Sequence, residues 1–107
     1  MKVLIVEPGK DPREEDIKNE LNVLQEIVGG YIETVTLEDG VVAIVDEEGK
    51  LKRRAANKYI PHLKDMLVGT IVIAGLDEWE GEFTDLPEDM LEKYRNKWRR
   101  YPDGRER

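Results

Sequence analysis

Two adjacent glycines, Gly29 and Gly30, separate a stretch with helical periodicity from one with strand chemistry, and this seam constrains the fold more than any other feature. Upstream, Ile17, Leu21, Leu24 and Ile27/Val28 recur at spacings of three and four, while Lys18, Asn19, Asn22 and Gln25 fall on the other faces. That is the pattern of an amphipathic helix lying on a sheet. Downstream, residues 31–37 are rich in β-branched and aromatic types, which suit a strand. A glycine in the left-handed region closes a helix without steric cost. The seam reads as helix, C-cap, strand.

The flanking sequence extends this into an architecture. Residues 3–6 are apolar on both pleat faces, the mark of a strand central in its sheet. Pro8, Gly9 and Pro12 break that strand, and Asp11-Pro12-Arg13-Glu14 offers an N-cap with proline at N1, predicting a helix from about residue 12. A strand, a helix and a second strand form a crossover unit, which places strands 3–6 and 31–37 side by side and parallel. Glu38-Asp39-Gly40 signals a hairpin into an antiparallel strand over 41–45. A turn at 46–49 leads to a short strand over 50–52, then to a short helix or irregular segment over 53–60 that Pro61 stops. Residues 69–75 form an apolar strand, and Asp85-Leu86-Pro87-Glu88 opens a helix through about residue 99 with Met90/Leu91, Tyr94 and Trp98 as its stripe.

The expected fold is α+β: a four-stranded mixed sheet in β-α-β-β-β-α order with one or two helices packed on it. Residues 1–101 make a single domain, and 102–107 a flexible basic tail. If both helices share one face, the bare face of such apolar strands calls for a homodimer.

Composition narrows function chiefly by exclusion. The 107-residue, 12.4 kDa chain has no cysteine, no serine and one histidine, His62, so disulfides, thiolate metal sites and Ser-His or Cys-His nucleophiles are ruled out. Residues 1–92 carry 10 basic and 22 acidic side chains, whereas 93–107 carry 7 basic and 2 acidic. An acidic body repels polyanions at long range. With no N-terminal apolar run of signal-peptide type, a cytoplasmic location is expected. The acidic turns around Asp46 and Asp77 match no EF-hand loop and read as solvated; no metal, cofactor or catalytic residue is assigned.

Two sets of candidate site residues remain. Gly29-Gly30 ends a helix, where the dipole is negative, so it reads as a cap and not as a phosphate cradle. The strand edge at Gly30 and Tyr31, with Asn57 and Lys58, is the candidate ligand site, Tyr31 stacking a base in a nucleotide-signal sponge. Arg95, Arg99 and Arg100, interleaved with Tyr94, Trp98 and Tyr101, are the candidate nucleic-acid contacts.

The stretch Leu24-Gln25-Glu26-Ile27-Val28-Gly29-Gly30-Tyr31-Ile32-Glu33, preceded by Val3-Leu4-Ile5-Val6-Glu7-Pro8-Gly9-Lys10, resembles the domain-of-unknown-function family 3846. Asp46 through Leu51, Asn57, and Gly69 through Gly75 add to the likeness. The resemblance implies a phage, plasmid or host accessory setting and carries no catalytic residues. The expected function is therefore non-catalytic binding of a protein or small-molecule ligand. Alternatives are an acidic DNA mimic that inhibits a DNA-binding host protein, the nucleotide sponge, and nucleic-acid binding through the basic C-terminal helix.

Overall fold

A computed structural model describes residues 1–100. Within them, three strands bury every second residue toward one side and the intervening residues toward the other. β1 (Lys2–Val6), β4 (Val41–Asp46) and β7 (Ile71–Asp77) supply Val3, Ile5, Val42, Ile44, Val72 and Ala74 to one face. The same strands supply Leu4, Val6, Val41, Ala43, Val45, Ile71 and Ile73 to the other. Each face has its own cover. Helix α1 (Leu21–Val28) lays Leu24 and Val28 on the first face. Helix α2 (Glu88–Lys97), with Leu91, Tyr94 and the following Trp98, covers the second, joined by Ile60 and Leu67 of a separate two-stranded hairpin.

The fold is α+β, with a sheet larger than expected. Six strands form it: β2 (Arg13–Asp16), β1, β7, β4 and β3 (Ile32–Glu38) in that spatial order, with β8 (Glu82–Thr84) paired to β7. The hairpin is β5 (Ala56–Ile60) with β6 (Asp65–Val68). Every pairing is antiparallel, which corrects the mixed sheet, the four strands and the β-α-β-β-β-α order. The apolar character of residues 3–6 correctly marks a strand buried on both sides, but two covering layers produce that burial in an antiparallel sheet as well as in a parallel one.

The predicted crossover unit does not form. After β1 the chain turns at Gly9 (φ 78°), where Lys10 N–H donates to the Glu7 carbonyl at 3.1 Å, and returns as β2 with Glu14 opposite Leu4. The Asp-Pro-Arg-Glu capping pattern therefore lies in a turn and an edge strand. The first helix begins at Leu21, not near residue 12, and Asp11 accepts the backbone N–H of Arg100 at 2.7 Å. α1 then carries the chain across to the far margin of the sheet, so β1 and β3 are separated by β7 and β4 and run in opposite directions.

Further along, the Glu38-Asp39-Gly40 hairpin forms as predicted, with Gly40 at φ 73°. Residues 50–52 are turn and not strand, and β5 occupies the stretch expected to be helical or irregular. α2 starts at Glu88 without side-chain capping, because Asp85 accepts the Lys2 backbone N–H at 2.8 Å instead. The helices lie on opposite faces, so the bare face that motivated a homodimer is absent. The reading of 102–107 as a flexible tail lies outside the described residues.

Candidate functional site

At the end of α1 the first glycine does what the seam required. Gly29 sits at φ 85° and its N–H donates to the Gln25 carbonyl at 2.8 Å; the Gly30 N–H shares that acceptor at 3.1 Å. The Gly29 carbonyl then accepts from Lys52 Nζ at 3.1 Å and Arg54 Nη2 at 3.0 Å, two cations at the negative end of the helix. Both also reach the buried Asp46 carboxylate, Lys52 Nζ at 2.9 Å and Arg54 Nε at 2.8 Å, while the Glu48 N–H donates to its other oxygen at 2.9 Å. Burial on its own would raise the Asp46 carboxyl, but the Lys52 and Arg54 bonds outweigh it and hold the group at about 2. This corner is a polar knot tying α1 to the 46–54 turn.

The four residues expected to form a ligand site are drawn into that scaffold. Gly30 faces Asp46 and Lys52, while Tyr31 is 66% exposed with its carbonyl bonded to the Glu47 N–H at 2.8 Å. Asn57 and Lys58 lie buried on β5. Asn57 Nδ2 donates to the carbonyls of Val6 at 2.9 Å and Gly69 at 2.8 Å, clamping the hairpin onto the end of β1. Arg54 links the two halves, its stem against Gly69 and its head at Gly29. Gly30, Tyr31 and Asn57 each make structural hydrogen bonds, and the Asn57 amide is buried with its Nδ2 turned to backbone carbonyls. The Asn57 Oδ1 is buried with no partner, since turning the amide over would face an oxygen to two carbonyls.

The surface feature that does stand apart is the turn between β7 and β8. Asp77 Oδ1 accepts the N–H groups of Trp79 at 3.0 Å and Glu80 at 3.2 Å, and the Asp77 carbonyl accepts from Gly81 at 2.7 Å. The backbone of the tip is thereby pinned from within. Its side chain is not: Trp79 is 94% exposed, the most open of the large apolar residues, and it stands among Asp77, Glu78, Glu80 and Glu82. The sequence displayed a tryptophan interrupting an acidic loop. What it could not display is that the turn holds the indole away from every apolar neighbour.

The sequence pattern of the family described as domain of unknown function (DUF3846) matches residues 1–99, nearly the whole chain. The chain belongs to this family. No curated protein and no solved structure matches it. In this DUF3846 member the matched segment takes in both helices and every strand, the Trp79 tip and most of the basic cluster of α2.

That cluster is largely engaged. Arg95 Nη2 bonds Glu14 of β2 at 3.0 Å, Arg99 Nη2 bonds Asn96 at 3.0 Å, and the Arg100 backbone bonds Asp11. Tyr94 and Trp98, the aromatics expected to alternate with them, are buried edge to face with ring centroids 5.3 Å apart. Tyr94 also donates its hydroxyl to Glu38 Oε2 at 2.6 Å beside Lys93 Nζ at 2.7 Å, at one wall of a hollow of about 220 Å³. Lys93 and then Tyr94 hold the Glu38 carboxyl below its ordinary range; burial, and secondly Glu38, push the Tyr94 hydroxyl above its own. His62, which also lines this hollow, has Nε2 3.1 Å from the Thr36 carbonyl. Acid, phenol and imidazole all have structural partners there. Among the described residues no helix is long and apolar enough to cross a membrane.

Proposed function

We propose that this DUF3846 protein is a non-catalytic binding module that docks on a positively charged protein surface through the Trp79 tip. The observation carrying this reading is an indole 94% exposed on a turn whose backbone is fixed by its own hydrogen bonds. Tryptophan is over-represented among residues that dominate binding energy, and a turn whose backbone is already held in place loses little freedom on docking. The carboxylates around it select a basic partner and raise the association rate. The groups most suited to catalysis, Glu38, Tyr94 and His62, are committed to one another or to backbone, which also favours binding over chemistry.

The acidic body supports one refinement. A DNA-binding protein of the host presents the basic surface this tip would fit, in keeping with the mobile-element and cytoplasmic setting expected from the sequence. A pull-down from lysate at low and high salt tests it. The expected result is a basic protein retained at low salt, released at high salt, and lost with Trp79→Ala. Retention of nucleic acid through Arg95, Arg99 and Arg100, or of a nucleotide through the Tyr31 corner, would replace this reading with one of the alternatives.

A further inference from the structure

The outer margins of the sheet are built differently. β2 is Arg13-Glu14-Glu15-Asp16, four charged residues in a short strand, the composition that blocks addition of another strand. β3 spans seven residues, Ile32–Glu38, with neither lysine nor proline, and among the described residues it pairs only with β4. The Tyr31 carbonyl points inward to the Glu47 N–H, whereas the Thr36 carbonyl points outward to His62. Antiparallel backbone groups alternate in direction, so Ile32, Thr34 and Thr36 turn theirs away from β4. Beside this edge lies an open hollow of about 520 Å³, with Thr34 and Thr36 on one side and Leu63, Lys64 and Asp65 on the other.

We propose that β3 is the interface of a two-fold homodimer in which the edges of two copies pair antiparallel about Thr34. The strand is self-complementary in this register. Thr34 meets Thr34, Ile32 meets Thr36, and Glu33 meets Val35, so no like charges stand opposite one another and the threonines form a favourable cross-strand pair. Glu33 and Val35 share a sheet face, and Val35 packs toward the α2 side, where the wall of the hollow stands. Glu33 of each copy is thus set beside the wall that carries Lys64 of the other, and that wall is fixed by the Lys64 N–H bonded to the Pro61 carbonyl at 3.1 Å. Each face of the sheet is already covered by the chain's own helix. Self-association at the edge uses the outward backbone groups of Ile32 and Thr34 and shares the Thr36 carbonyl with His62 Nε2.

The pairing stands independently of the Trp79 tip, and salt separates the two. Screening of the −7 net charge strengthens a dimer, whereas it weakens docking of the acidic tip on a basic partner. Sedimentation equilibrium on the full chain tests the proposal. At about 100 µM in moderate salt the wild type is expected near twice 12.4 kDa. Thr34→Pro removes an outward N–H while leaving the β4 ladder intact, and should weaken association by more than about tenfold. Thr34→Lys, which puts two ammonium groups at the axis and retains the backbone, should do the same even if the proline variant fails to fold. A wild type that is monomeric at that concentration, or a folded Thr34→Lys protein that dimerises as tightly as the wild type, would overturn it.

Discussion

Gly29 and Gly30 are glycines for separate reasons. Gly29 occupies the left-handed region, and a Cβ there would also stand 2.5 Å from Arg54 Nη2. At Gly30 the reason is space, since a Cβ would lie 2.6 Å from both Asp46 Oδ1 and Lys52 Nζ. Gly29→Ala should cost at least about 1–2 kcal/mol of stability in urea denaturation. Asp46, at the centre of the same knot, sets a pH dependence. Its folded value is lowered, so its contribution is complete above the ordinary aspartate range near 3.8 and disappears as pH falls toward about 2. Glu7, Asp16 and Glu38 are lowered too and lose their contributions in the same direction, so the wild type must be compared with Asp46→Asn. The variant should be less stable by about 2 kcal/mol at neutral pH and should show a shallower acid limb. The cap was legible in the sequence because its chemistry is local. The knot was not, because nothing local pairs Lys52 and Arg54 with Asp46 until the turn at 46–54 brings them together.

Elements were legible where pattern and pairing agreed. The strands at 41–45 and 69–75, the 38–40 hairpin and the C-terminal helix all carry periodicity that matches the layer they join. The segment 11–20 departs from its local signal because Asp-Pro-Arg-Glu has the preference of a helix start, while the edge of β1 offers Arg13 through Asp16 a strand pairing. α1 is consequently a helix of 8 residues, too short to stand on propensity, and it depends on the side chains it buries. Leu24→Ala, emptying the centre of that contact, should destabilise the protein by about 2–5 kcal/mol, checked by chemical denaturation. A change within ~0.5 kcal/mol would mean that α1 does not seal this face of the sheet.

The described residues form a sheet closed on both faces by the chain's own helices, which leaves binding to its edges, turns and hairpin. The two tryptophans mark the difference. Trp98 is buried against Tyr94 and belongs to the core, whereas Trp79 contributes nothing visible to it. The sequence places Trp98 on the apolar stripe of a helix and Trp79 in an acidic loop, but only the turn geometry shows the Trp79 indole standing 94% exposed. Function was legible only as an exclusion of nucleophiles and an excess of carboxylates. The decisive measurement is retention of the basic partner by Trp79→Ala alongside its urea midpoint. The account predicts a midpoint within ~0.5 kcal/mol of the wild type together with loss of retention. Undiminished retention by a folded Trp79→Ala protein would contradict it.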